Sequence, residues 1–249
     1  NYGFKVDYHL MPQLPGSTPA TDLKMMLKVF DDPDYRPDMI KIYPCTVVKT
    51  SELYEWLKRG EYKTYSDRKL IDMLKKFKAR VPRYVRISRL IRDIPGHHIQ
   101  AGNKMTNLRQ VIQAEMAKEG LKCNCLRCRE IGHQHIESKV KSLKSKVKLF
   151  VDKYEASGGT EYFISFEDIR RDVVFAFCRL RILSLRGASN DEAIPQSALP
   201  HHGIATLPSV TRDDKPYPAF IRELHTYGQL INIGKKSKGA SQHIGMGVK

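Results

Sequence analysis

Residues 66–94 read SDRKLIDMLKKFKARVPRYVRISRLIRDI, and the hydrophobic period changes part-way along. SDRKLIDMLKKFKARV is amphipathic at helical spacing and begins at a capping Ser66, whereas RYVRISRLIRDI alternates Arg with Val, Ile and Leu as a strand does. The same succession recurs upstream. GFKVDYHLM alternates and runs into Pro12, Leu14, Pro15 and Gly16, a strand followed by a tight turn. STPATDLKMMLKVF then offers Thr21 or Ser17 as a cap for a helix whose apolar face is Leu23, Met26, Leu27 and Phe30. After the loop DDPDYRPD comes MIKIYPCTVV, a β-branched strand broken by Pro44, and SELYEWLKRG, a short helix closed by Gly60. Strand, helix, strand, helix, strand is the parallel α/β pattern. Function in such sheets gathers at the carboxyl ends of the strands, here His9–Pro15, Tyr43–Lys49 and Asp93–His98.

Downstream the character changes. NLRQVIQAEMAKEG is a further amphipathic helix, ended by Gly120, and it leads into the cysteine-rich stretch 123–135, CNCLRCREIGHQH. Lys139, Lys141, Lys144, Lys146 and Lys148 then alternate with Val140, Leu143 and Val147. EYFISFEDIRRDVVFAFCRLRIL reads as two long antiparallel strands, and IRELHTYGQLINIG as another beyond a Pro-, Ser- and His-rich loop at 187–218. The second half is therefore antiparallel and mixed, and a boundary falls near 120–140.

The chain has 249 residues, enough for one large domain or two ordinary ones. It contains no apolar run of transmembrane length and no signal peptide. Opening on an alternating strand without an initiator Met, it reads as part of something longer. Lys plus Arg outnumber Asp plus Glu by 43 to 27, a net charge of +16. An excess of that size points to a polyanionic partner, nucleic acid above all, because basic side chains displace counterions from phosphate backbones. Arg83 and Arg89 fall on one face of the predicted strand and Arg86 and Arg92 on the other, so one face is expected to track phosphate, with the lysines at 139–148 the next candidates.

The five cysteines, Cys45, Cys123, Cys125, Cys128 and Cys178, fit a reducing compartment and a cytoplasmic protein better than a disulfide framework. Cys123, Cys125 and Cys128 stand at C-x-C-x-x-C spacing, which can supply three of the four tetrahedral ligands of zinc from one tight loop. The fourth is left open among Cys45, His133 and His135. A redox C-x-x-C is the weaker reading because no thioredoxin-like strand precedes it. Idle thiols are the plain alternative, and Cys178, between Phe177 and Leu180, reads as core. His9, Lys41 and Lys49 lie near strand ends, where a ligand role competes with a structural one.

Near the end, Gln242-His243-Ile244-Gly245-Met246-Gly247 matches Q-x-x-G-x-G and resembles the loop by which GNAT acetyltransferases hold the coenzyme A pyrophosphate. Glycines there let backbone N–H groups approach the anion closely. The expected context, a strand and then the basic Lys235, Lys236 and Lys238, precedes it.

HLMPQLPGS, KIYPC with TVVKTSELYEWLKRGEYKTYS, RLIRDIP, AGNKMTNLRQ, CLRCREIG, RELHTYG and QHIGMG occur in that order. As an ordered set they resemble the catalytic subunit family of Elongator, of archaeal or bacterial type, over essentially the whole chain. The resemblance implies the C-terminal part of a radical S-adenosylmethionine (SAM) barrel at 1–118, a zinc loop and basic linker at 119–148, and the first part of a GNAT-like domain with an antiparallel sheet at 149–249. It implies an acyltransferase that uses acetyl-CoA and a SAM-derived radical, made at a [4Fe–4S] cluster, to carboxymethylate C5 of the wobble uridine (U34) of tRNA. The partners it implies are acetyl-CoA, the tRNA anticodon stem-loop, and a second copy or accessory Elongator subunits. Zinc at Cys123, Cys125 and Cys128 and acetyl-CoA at Gln242–Gly247 are the expected cofactor sites. The family's C-x-x-x-C-x-x-C cluster motif is not among these residues, so this stretch by itself is not expected to make the radical. A protein lysine acetyltransferase of the same fold, or a non-catalytic zinc-stabilised RNA-binding module, are the competing readings.

Overall fold

Strand β1 (Asp7–Leu10) leads through the MPQLPGS turn into helix α1 (Pro19–Asp31). The helix is capped by Thr18, not by Ser17 or Thr21. With Pro19 fixing the first turn, the Thr18 hydroxyl accepts from Thr21 N and the Thr21 hydroxyl accepts from Thr18 N, a reciprocal capping box. The chain follows as β2 (Met39–Ile42), β3 (Val47–Val48), α2 (Glu52–Lys58), α3 (Asp67–Ala79), β4 (Arg86–Arg89), β5 (Ile99–Ala101), α4 (Leu108–Lys118) and a single turn α5 (Leu126–Arg129). Ser66 caps α3 as its sequence predicts, accepting from Lys69 N.

The computed structural model describes residues 3–133, 147–183 and 219–227. The chain divides into two units, Val6–Cys128 and a second formed by Asn1–Lys5 with Arg129–Lys249. In the first, β1, β2 and β4 form a parallel sheet in the order β1-β2-β4, with His9 opposite Lys41 and Ile40 opposite Ile87. Leu10, Ile40, Ile42 and Ile87 are buried on one face, as are Met26 and Phe30 of α1 and Leu70, Leu74 and Phe77 of α3. Phe30 and Phe77 stack at 5.4 Å where those helices meet. Each such side chain, fully buried, contributes roughly 1.5–3 kcal/mol.

Two strand expectations change. MIKIYPCTVV is not one interrupted strand: Pro44 cannot donate to a ladder, and β3 leaves β2 to pair antiparallel with β5. RYVRISRLIRDI forms only the four residues of β4, because the β2 ladder it pairs with is itself four residues long. Arg83 and Arg92 therefore lie outside the strand, and the two-faced arginine pattern expected of it does not form.

In the second unit β6 (Val147–Ala156), β7 (Gly159–Asp168), β8 (Val174–Leu183) and β9 (Ala219–Thr226) form an antiparallel meander. Ser157 and Gly158 both have positive φ (47° and 72°), the requirement of a two-residue primed turn between twisted strands. The buried face of this sheet is charged: Glu161 accepts from Arg181 at 2.8 Å and from Arg222 at 3.0 Å, and Glu167 lies 2.8 Å from Arg129.

Candidate metal centre and polar sheet face

Helix α4 ends at Gly120, whose positive φ turns the chain into the cysteine loop. Leu126, fully buried, donates its backbone N–H to Val85 O at 2.9 Å and so ties the loop to the start of β4. Cys128 N donates to Cys125 O, folding C-x-x-C into a turn. The result is that the sulfurs of Cys123, Cys125 and Cys128 all lie within 4.8 Å of one another. Ligand sulfurs about 2.3 Å from a tetrahedral zinc are roughly 3.8 Å apart, so the three thiols fit the ion with little adjustment. Cys45 does not join them. It is buried elsewhere, and burial pushes its thiol pKa up. His133 has Nε2 3.2 Å from Glu130, and His135 lies outside the described residues.

The thiols share protons unequally. Hydrogen bonds with Cys123 and Cys128 hold the fully buried Cys125 well below the ordinary thiol range, and those with Cys125 and Cys128 push Cys123 well above it. One cation faces the group: Lys78 of α3, 0% exposed, with Nζ 3.9 Å from Cys128 Sγ. Burial works against its charge, but the three cysteines outweigh burial and raise its pKa. Gln113 of α4 also donates to Cys128 Sγ, at 3.5 Å. Neither residue was singled out in the sequence. The signal was present, since Lys78 continues the stripe of Ile71 and Leu74 on a buried helix face.

The second constellation lies on the other face of the parallel sheet. Lys41 Nζ is 2.8 Å from Asp7 Oδ2 and 3.3 Å from His9 Nε2, and the His9 ring meets Tyr43 edge-on at 5.3 Å. The Asp7 hydrogen bond holds the Lys41 ammonium above its ordinary pKa. Arg92 caps Tyr43 at 5.8 Å, and Arg89 pairs with Asp93 at 2.7 Å. Two of the sequence candidates, His9 and Lys41, are thus brought together. Lys49 sits exposed in the turn after β3. Arg83 and Arg86 have partners of their own. A small cleft lined by Pro44, Thr46, Ile91, Arg92, Asn103 and Met105 opens at the same strand ends.

Gln242, His243, Ile244, Gly245, Met246 and Gly247 lie outside the described residues, as do Lys139, Lys141, Lys144 and Lys146. Cys178 is half-buried on β8, and burial raises its pKa. No helix among the described residues is long and apolar enough to cross a membrane.

Comparison with known proteins follows the same geography. The radical SAM C-terminal domain family matches residues 37–118. A tRNA uridine(34) acetyltransferase of Methanocaldococcus jannaschii is 48% identical over 179 residues, 72% of this chain and 33% of the relative. One of Dehalococcoides mccartyi is 38% identical over 248 residues, covering 100% of this chain and 49% of its own length. Elongator complex protein 3 of Danio rerio is 35% identical, over 99% of this chain and 40% of the relative. Among solved structures, that of the Methanocaldococcus infernus Elp3 with an N-terminal deletion superposes with a TM-score of 0.76 at 38% identity, covering 99% of this chain and 53% of that one. The chain spans about half or less of the length of these relatives.

Proposed function

We propose that this chain, similar to Elongator complex protein 3 and matching the radical SAM C-terminal domain over residues 37–118, belongs to a tRNA-modifying acyltransferase acting on the wobble uridine. In this reading residues 1–118 form the later part of the SAM domain, 119–148 the zinc loop and basic linker, and 149–249 the beginning of a GNAT-like domain. Acetyl-CoA supplies the two-carbon group, and its pyrophosphate is held by the backbone of Gln242–Gly247. SAM and a [4Fe–4S] cluster supply the radical, but the thiols of this chain do not fit that cluster, whose C-x-x-x-C-x-x-C spacing they lack. No radical step is therefore assigned to them.

The observation that carries the reading is the polar sheet face. Faces of parallel sheets are ordinarily apolar and covered, yet here Asp7, at the start of β1, reaches Lys41, and His9, Lys41 and Tyr43 lead toward the carboxyl ends of β1 and β2, where α/β proteins bind ligands. An ammonium fixed between a carboxylate and an imidazole can receive an anionic or carbonyl oxygen without reorganising. The net charge of +16 supports a polyanionic substrate, tRNA rather than a basic peptide tail.

The test uses the full-length protein. Digested tRNA is analysed by mass spectrometry for modified U34 after incubation with acetyl-CoA and SAM, comparing wild type with Lys41→Met and His9→Ala. The reading expects modification by wild type, and at least tenfold less by the variants at unchanged melting temperature. Acetylation of lysine peptides with no change in tRNA would overturn it.

A further inference from the structure

Helix α3 buries two lysines, and they differ in what receives them. Lys75 meets carboxylates of Asp72, Glu115 and Glu119. Lys78 meets none among the described residues: its one hydrogen-bond partner is the sulfur of Cys128, and it is completely buried. Arg109, which also acts on it, is a further cation. An ammonium taken fully out of water with no anion beside it is strongly unfavourable, so the fold expects an anion at the cysteines. One thiolate among the three supplies it in the metal-free loop, and three thiolates around one dication supply the same single net negative charge when the fourth ligand is neutral.

We infer that Lys78 is the buried counter-cation of the metal–thiolate centre and, with Gln113, orients Cys128 through N–H···S hydrogen bonds without itself binding the metal. The inference rests on the zinc reading of Cys123, Cys125 and Cys128. It goes beyond that reading by assigning the residue that balances the charge of the site, and by predicting that a neutral fourth ligand completes it. Hydrogen-bond partners of metal ligands typically govern affinity by roughly 10–100-fold.

Zinc affinity of the purified protein would be measured by competition with a chromophoric chelator for wild type, Lys78→Met, Lys78→Arg and Gln113→Leu, with the thiolate charge-transfer band of the Co(II)-saturated proteins recorded in parallel. Lys78→Met should bind zinc at least tenfold more weakly while keeping the cobalt band, Lys78→Arg should stay within a few-fold of wild type, and Gln113→Leu should weaken binding several-fold. Wild-type affinity in Lys78→Met, or an Arg variant as weak as the Met variant, would overturn the inference, the latter because it would make Lys78 a ligand. Should Lys78→Met fail to fold, unchanged affinity in Gln113→Leu, whose side chain lies on the exposed side of α4, overturns the hydrogen-bond assignment. A wild type that takes up no zinc would instead remove the zinc reading itself.

Discussion

Asp22 sits at 4% exposure in the first turn of α1, and its Oδ2 accepts from Gln13 N at 2.8 Å, Ser17 Oγ at 3.1 Å and Tyr65 Oη at 2.8 Å. Together these bonds hold the MPQLPGS turn, in which Gln13 is kept at φ 70°, a left-handed conformation that side chains avoid. Burial, and then the bond to Asp22, push the Tyr65 phenol far above its ordinary pKa. Asp22→Ala strands a buried N–H and a hydroxyl together, so it should cost about 2–4 kcal/mol, read as a lower denaturation midpoint. Tyr65→Phe removes one bond and should cost about 1 kcal/mol. An Asp22→Ala protein as stable as wild type would mean that the turn holds itself. Glu223 gives a pH dependence of definite sign. Burial opposes its charge, but the Lys5 hydrogen bond and Arg179 outweigh burial, and its pKa is lowered on folding. A depressed carboxyl stabilises at pH above its unfolded value, about 4.3, and that stability is lost as pH falls through the folded value. Thermal melts of Glu223→Gln should accordingly run lower than wild type at neutral pH, and the two curves should converge on acidification.

At the level of elements, β3 and β5 meet where Gly102 follows the second strand at φ +97°, and a Cβ there would lie 2.5 Å from Cys45 O. Gly102→Ala must move backbone as well as accept a strained φ, so a loss of at least 1–3 kcal/mol is expected in equilibrium unfolding. In the β6–β9 sheet, Arg181 and Glu161 are paired at 1% and 0% side-chain exposure. Arg181→Met leaves Glu161 buried with one fewer partner, and a loss of about 3–5 kcal/mol follows. A neutral Arg181→Met/Glu161→Gln double variant that recovers most of it would identify the cost as unpaired charge. These charged positions mark what the sequence does and does not disclose. The β1-β2-β4 strands with their helices, the antiparallel character of the second half and the three grouped thiols are legible, because period, caps and cysteine spacing are local, whereas the β3–β5 pair and β6 are not. Against Tyr162, Ile164 and Phe166, the intervening Glu161 and Glu167 read as a solvated face, yet they share the buried face with Phe163, as Arg179 and Arg181 share it with Phe177. Only cross-strand pairing, invisible locally, makes burying them tolerable. Lys78 is concealed in the same way, its partner lying fifty residues away in the chain, and Thr18 is one of three hydroxyl residues competing for one cap.

For the whole molecule, the decisive quantity is its charge. Under the proposed function, a surplus of +16 would make association with tRNA an ion-exchange reaction, in which each phosphate contacted releases condensed counterions. The logarithm of the binding constant should therefore fall linearly with the logarithm of salt concentration, and each contacting cation should contribute close to one to the slope. Lys148, exposed on β6, is the described member of the lysine row. Lys148→Gln should lower the slope by about one and weaken binding equally for every tRNA tested. Lys41, held by Asp7 and His9 on the polar sheet face, has a different role in the same account. Lys41→Met should leave the salt slope nearly unchanged while abolishing discrimination between an intact anticodon stem-loop and one lacking U34, because a fixed ammonium on the sheet face would read the reacting base rather than the backbone. Filter binding across a salt series with both RNAs separates the two roles. Equal slope changes for both variants would place Lys41 among the phosphate contacts and leave the sheet face without a reading of its own.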